Sequence, residues 1–114
     1  MCGICGVYSK DGVDSNDTKK MVKILAHRGP DGHGIYTTKN ISLGHTRLAI
    51  IDLSNKGKQP MISDNGEAVI SYNGEVYNYL ELRVELEKLG YKFHSDTDTK
   101  VVLNSYMAWG KKSI

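Results

Sequence analysis

An α+β fold is predicted for this chain of 114 residues, which suits one domain at most. Three observations carry that reading. Short β-favouring stretches lie in the first two thirds, near residues 3–8, 43–53 and 68–72. An Asn65-Gly66 pair stands between strand-like residues, which signals a hairpin. Apolar residues then recur at helical spacing through 79–89 and 98–109. The order is strand, helix, several antiparallel strands and two helices, which predicts sheets with helices packed against them.

Each element has its own signal. Gly3 to Tyr8 is short and apolar and ends at a turn around Lys10-Asp11-Gly12. Thr18 to Ala26 reads as a helix with Met21, Val22 and Leu25 on one side, and it stops before Gly29-Pro30, where helix is disfavoured. Leu43 to Leu53 reads as strand with a bend or bulge. A loop follows around Asn55 to Gln59, and Ala68 to Tyr72 continues as strand after the hairpin turn. Asn78 is expected to cap a helix, with Glu81 completing a variant of the capping box. Tyr79, Leu82, Leu86 and Leu89 form its apolar stripe, and Gly90 ends it in a left-handed turn. The last helix runs from about Asp98 to Trp109, with Val102, Tyr106 and Trp109 on one face. These stripes are what helices need to pack, so they are assigned to the core.

Composition narrows the function classes. Charged residues make up 25% and hydrophobic residues 39%, the balance of an ordinary soluble globular domain. Fifteen Lys and Arg against thirteen Asp and Glu leave a net charge of +2, with no basic stripe beyond the pairs Lys19-Lys20 and Lys111-Lys112. Nucleic acid is therefore not an expected partner. Nor is a membrane, because no long apolar run exists. Residues 1–10 lack the charged and apolar regions of a signal peptide, so a cytoplasmic address is expected, with Cys2 and Cys5 reduced. No repeat, linker or low-complexity tract is present.

Cys2 directly follows Met1. Once Met1 is trimmed, the thiol and a free α-amine share one residue. The thiol is a nucleophile, and an α-amine of ordinary pKa, about 7.7 to 8.0, is a base near neutral pH. Position alone does not establish catalysis, since a Cys at position 2 is commonly incidental. Cys2 and Cys5 also show C-x-x-C spacing, which suggests redox or zinc chemistry. On an extended strand the two Cα atoms would stand roughly 10 Å apart, beyond the roughly 7 Å limit of a disulfide. Zinc would need two more ligands from His27, His33, His45 or His94, whose positions match no finger spacing. Loop geometry leaves both options open, and no metal site is assigned.

Six stretches occur together: MCGICGVY at the start, HRGPDGHG at His27 to Gly34, GHTRLAIIDLS at Gly44 to Ser54, QPM at Gln59 to Met61, YNGEVYNYLELR at Tyr72 to Arg83, and FHSDTDTKV at Phe93 to Val101. In that order and spacing the chain resembles class II glutamine amidotransferases. The HRGPDG and YNGEVYNY stretches resemble the asparagine synthetase branch in particular. The resemblance covers nearly the whole chain. It implies an N-terminal nucleophile hydrolase fold, a four-layer sandwich of two antiparallel sheets between helices. It also implies hydrolysis of glutamine to glutamate, with the ammonia passed to a second site.

Roles follow from the resemblance residue by residue. Cys2 would attack the glutamine side-chain amide and form a thioester. The Asn73 side-chain amide and the Gly74 N–H would form the oxyanion hole, where a single donor is commonly worth about 2.7 to 4 kcal/mol. Gly74 lets backbone approach closely. Arg47 would clamp the substrate α-carboxylate through two parallel bonds. Glu75 and Asp98 would accept from the α-ammonium. Each residue also has a plain structural reading: solvated strand residues for Arg47 and Glu75, a turn for Asn73-Gly74, and a helix start for Asp98. His27 to Asp31 match the family without an assignable chemical step, and Gly29-Pro30 is read as shaping a loop.

The family usually reads Asp-Thr-Glu where this chain has Asp98, Thr99 and Lys100. With Thr97 as cap, Lys100 cannot complete a capping box. It puts a positive charge near the positive helix end, at about 0.3 to 1 kcal/mol. So close to Asp98, it is also expected to weaken binding of the substrate ammonium. Residues 1–114 are read as a partial glutaminase domain, incomplete at its C-terminus and without the synthetase domain. ATP and Mg are implied only for that absent domain, and none is expected in this segment. An isolated fragment of this kind is expected to be marginally stable and weakly active, with exposed strand edges. Two further readings stand beside the main one: a related amidotransferase with another ammonia acceptor, and an inactive remnant that binds glutamine or a partner.

Overall fold

Period-two alternation builds the first strand of the computed structural model, which describes residues 1–50 and 54–113. In β1 (Gly3–Tyr8) Gly3 is buried, while Ile4, Gly6 and Tyr8 are exposed. β1 pairs antiparallel with β3 (Ile41–Arg47), which pairs antiparallel with β2 (Gly32–Thr37), giving the order β1-β3-β2. The register sets Gly3 against Thr46 and Gly32 against Arg47. Sequence patterning did not foresee β2. Its Gly32 and Gly34 lower strand propensity, and it exists because β3 supplies a ladder.

Helix α1 (Ser15–Ile24) lies against one face of this sheet through Thr18 and Val22, four residues apart and both buried. It starts earlier than the sequence pattern suggests, because extended Asp14 caps it. The Asp14 Oδ1 accepts from the Asn16 N–H at 2.9 Å. The helix ends at Ile24, and Leu25–Arg28 continues as a 3-10 turn up to Gly29. Gly44 on β3 allows this packing. A Cβ there would stand 2.5 Å from Val22 Cγ2 and 2.6 Å from Cys5 Sγ.

The strand expected over 43–53 is shorter at its end. β3 stops at Arg47, 48–50 are not strand, and Ile51, Asp52 and Leu53 lie outside the described residues. Met1–Ile50, Lys58–Pro60 and Ser71–Asn73 form one compact unit. Residues 54–57, 61–70 and 74–113 belong to a second.

In the second unit the predicted hairpin is present. β4 (Met61–Ile62) pairs antiparallel with β5 (Val69–Ile70). Gly66 takes φ +75° in the turn, and the Ser63 N–H donates to Ala68 O at 2.9 Å. Helix α2 (Tyr79–Lys88) ends as expected: Gly90 adopts φ +95°, its N–H donates to Glu87 O, and the Tyr91 N–H donates to Leu86 O. These are the two bonds of a Schellman motif. The expected start is different. Asn78 has φ −96° and ψ 26°, not the extended backbone that aims a capping side chain, and that side chain makes no capping bond.

Helix α3 spans Asp98–Trp109, the range the sequence pattern gave. Its buried residues are Asp98, Thr99, Lys100, Val101, Leu103, Asn104 and Ser105. The Val102, Tyr106 and Trp109 face is the less buried one, and Tyr106 is 42% exposed. Asn104 turns inward with a tertiary partner, its amide donating to Lys92 O at 3.4 Å, whereas the buried Ser105 hydroxyl has no partner among the described residues. On α2 only Leu86 of the expected stripe is fully buried, and Leu89 is exposed. Among the described residues, Leu86, Val101 and Leu103 are the buried large apolar side chains of this unit. The observed class is mixed helix and antiparallel sheet. Among the described residues, no helix is long and apolar enough to cross a membrane.

Candidate functional site

One end of β3 gathers the first group of candidate residues. The β1–β3 register pairs Gly3 with Thr46, and Cys2 and Arg47 are the next residues beyond that pair on the two chains. His45 and Arg47, two apart on β3, fall on the same face by strand alternation. Beyond the strand, the Leu48 N–H donates to Cys2 Sγ at 3.3 Å, and the Cys2 thiol lies 3.6 Å from Leu48 O. The nucleophile candidate is thus seated on the chain that leaves β3.

The 27–31 stretch, to which the sequence gave no chemical step, supplies the clamp. The Arg28 Nε–H donates to the backbone carbonyl of Cys2 at 3.0 Å. The Asp31 N–H donates to Arg47 O at 2.9 Å, and Asp31 Oδ2 accepts from the Ala49 N–H at 2.8 Å. Gly29 has no room for a Cβ, which would run into the backbone of Thr46 and Arg47. The Thr46 hydroxyl donates to Leu25 O at 3.1 Å and ties down the end of α1. One segment therefore holds Cys2 with Arg28 and the Arg47–Ala49 backbone with Asp31. The HRGPDG motif was the only sequence signal for this.

Asn73 belongs to the same unit, at the end of Ser71–Asn73, a segment outside strand and helix. Side chains fasten it. The Ser71 hydroxyl donates to Gly44 O at 3.1 Å, and the Tyr72 N–H donates to Gln59 Oε1 at 2.6 Å. The Tyr72 carbonyl lies 3.2 Å from His45 Nε2, which must be the donor. His45 is 0% exposed, and its Nδ1 is buried without a partner among the described residues. Burial lowers the His45 pKa below its ordinary 6.5, opposed by the Tyr72 carbonyl and reinforced by nearby Arg47. Neutral imidazole with the proton on Nε2 satisfies the bond to the Tyr72 carbonyl and leaves no buried charge on the ring.

Gly74, Glu75 and Asp98 lie in the second unit. Gly74 and Glu75 are exposed, whereas Asp98 is buried in the first turn of α3. Asp98 Oδ2 accepts from the Val76 N–H at 3.0 Å, which ties the 74–76 backbone to α3. Cys2, Arg47 and Asn73 are thus brought into one unit, and Gly74, Glu75 and Asp98 into the other.

Lys100 differs from its expected character. It is 5% exposed, and its Nζ stands 2.6 Å from Asp64 Oδ1 in the hairpin turn. The Lys100 bond holds the Asp64 carboxyl below its ordinary pKa of 3.8. The charge near Asp98 is therefore directed at a second carboxylate. Thr97 has the extended backbone of a cap, but its side chain makes no capping bond; its hydroxyl lies 3.2 Å from that of Ser95.

Cys5 is the other free thiol, and burial raises its pKa, which makes it a poorer nucleophile. It sits within β1, where extended geometry separates it from Cys2. Among the described residues, no three His, Cys, Asp or Glu side chains cluster as metal ligands do.

Comparison with known proteins puts this arrangement in context. Residues 1–114 match the family described as the glutamine amidotransferase domain. The chain is 41% identical over 111 residues to asparagine synthetase (glutamine-hydrolyzing) 1 of Bacillus subtilis, covering 93% of this chain and 17% of that protein. It is 40% identical over 114 residues to asparagine synthetase (glutamine-hydrolyzing) 3 of the same organism, covering 96% and 18%. Against asparagine synthetase B (glutamine-hydrolyzing) of Escherichia coli the identity is 37% over 113 residues, covering 96% and 20%. The chain spans 17% to 20% of the length of these three relatives.

Proposed function

The chain belongs to the glutamine amidotransferase domain family, and on that premise we propose that it hydrolyses glutamine with Cys2 as nucleophile. The ammonia would serve ATP-dependent amidation of aspartate elsewhere in the full polypeptide, as the names of its relatives suggest. The seating of Cys2 carries the reading. Its sulfur meets the Leu48 N–H, its carbonyl is held by Arg28, and it directly precedes Gly3, which pairs with Thr46, the neighbour of Arg47.

The chemistry starts with removal of Met1, which is 69% exposed. The freed α-amine of Cys2 takes the thiol proton. The thiolate attacks the side-chain amide carbon of glutamine, and negative charge develops on the amide oxygen. The Asn73 amide and the Gly74 N–H are assigned to that oxygen. The intermediate collapses with a proton from the α-ammonium and expels ammonia, leaving a thioester. Water, deprotonated by the α-amine, then releases glutamate and restores the thiol. Arg47 is assigned to the substrate carboxylate, and Glu75 and Asp98 to its ammonium. Asp98 is suited to this by burial and by its bond to the Val76 N–H, which orients the carboxylate.

Residues 1–114 are read as part of a glutaminase domain, with the synthetase domain in other sequence. ATP and Mg would belong to that domain, and no residue of this chain is assigned to them. The four-layer sandwich is the architecture proposed for the whole domain. Ile4, Tyr8 and Ile41 support it, since they leave part of one face of the three-stranded sheet apolar and exposed, beyond the patch that covers His45, and a second layer would cover them. The reaction is placed in the cytoplasm, where a thiol stays reduced.

Intact mass after exposure to an electrophilic glutamine analogue tests the proposal. The expected species lacks Met1 and carries one analogue, and Cys2→Ala abolishes the adduct. A protein that keeps Met1 and takes no label overturns it.

A further inference from the structure

The side-chain bonds around Ser71–Asn73 have a consequence for catalysis. An oxyanion donor works only when held in place before the charge develops, within a fraction of an ångström. Asn73 stands on a segment outside strand and helix, so something other than a sheet ladder must fix it. Three side chains do so. Ser71 reaches the Gly44 carbonyl, Gln59 accepts the Tyr72 N–H, and His45 donates to the Tyr72 carbonyl. Both polar groups of the Tyr72 backbone are thereby bonded to side chains that are themselves buried. Those side chains also have fixed bases. His45 is on central strand β3, and Gln59 is seated against β2 at Gly34, where any Cβ would strike the Gln59 carbonyl oxygen.

We propose that His45 and Gln59 are positioning residues that grip the Tyr72 peptide groups and so hold Asn73 as a preformed oxyanion donor. The inference rests on the role given to Asn73 above. His45 touches no reacting atom in this scheme. It acts as a neutral donor through Nε2, and its unpartnered Nδ1 agrees with that tautomer, because a second N–H would be buried unpaired. Arg47 lies two residues along the same strand, so one strand would both clamp the substrate and aim the segment that carries Asn73.

The test uses the natural polypeptide that carries this sequence. His45→Leu removes the donor, whereas His45→Gln puts an amide N–H at the place of Nε2. Turnover is normalised to the number of Cys2 sites titrated to completion by the electrophilic glutamine analogue, so loss of folded protein does not count. His45→Leu is expected to lower kcat by roughly 10²-fold, with KM for glutamine within about threefold, and His45→Gln to recover most of the loss. Equal losses in both variants, or kcat per labelled site unchanged in His45→Leu, overturn the proposal. Amide exchange gives a readout independent of the enzymatic reading. The Tyr72 amide should exchange at least tenfold faster in Gln59→Leu and in His45→Leu than in the parent. If the parent takes no label, the glutaminase reading falls by itself, and unchanged Tyr72 exchange then overturns the positioning role.

Discussion

Lys100 Nζ lies 2.6 Å from Asp64 Oδ1, joining the first turn of α3 to the turn between β4 and β5. The pair is lopsided: the Lys100 side chain is buried, while more than half of Asp64 is exposed. Water therefore screens the carboxylate, and the bond matters chiefly because a buried ammonium would otherwise lack a partner.

Asp64→Asn is accordingly expected to cost about 1 to 3 kcal/mol in urea denaturation, and Lys100→Met less, since it removes the buried charge and leaves only a carboxylate that water already solvates. The pH dependence has a definite sign. The folded-state pKa of Asp64 is depressed, so its contribution is complete above the ordinary value of 3.8 and fades as pH falls through the lower folded value. Stability measured from pH 5 downward should fall less steeply in Asp64→Asn. An identical acid limb in both proteins would refute the coupling.

Arg28 is predicted to control the reactivity of Cys2 without contacting its sulfur. The Arg28 Nε–H holds the Cys2 carbonyl, and a small displacement of an attacking atom costs rate steeply. Arg28→Met should slow labelling by the glutamine analogue roughly ten- to a hundredfold. Circular dichroism should remain that of the parent. Labelling at the parental rate would show that other contacts suffice to place Cys2.

Gly29 and Gly34 are predicted to resist even a methyl group. A Cβ at Gly29 meets the Thr46–Arg47 backbone, and one at Gly34 meets the Gln59 carbonyl oxygen. Backbone cannot swing aside as a side chain can, so each alanine variant should lose about 1 to 3 kcal/mol. Gly66→Ala is the contrast: nothing lies within 4 Å, and its cost comes only from φ +75°. Thermal melts of the three variants separate packing from backbone strain.

Much was legible from residue order alone, and the reasons are local. Gly90 ends α2 because it tolerates a left-handed backbone, and Asn65-Gly66 turns the chain for the same reason. The α3 boundaries followed from spacing, whereas its buried face did not, because Asn104 and Lys100 turn inward only when Lys92 O and Asp64 stand opposite. The Asn78 cap failed because its backbone does not take the extended conformation that aims a capping side chain at the first turn.

By itself the sequence determined the α+β class, most of the helices and turns, and a candidate nucleophile at Cys2, since propensity, periodicity and motif spacing act over a few residues. Only the tertiary structure decided that β2 is a strand, that Arg28 and Asp31 fasten Cys2 and the Arg47–Ala49 backbone, and that His45 and Gln59 grip Tyr72. Those interactions join residues between 13 and 27 positions apart. Their geometry is fixed by strand register and burial, which no local pattern encodes.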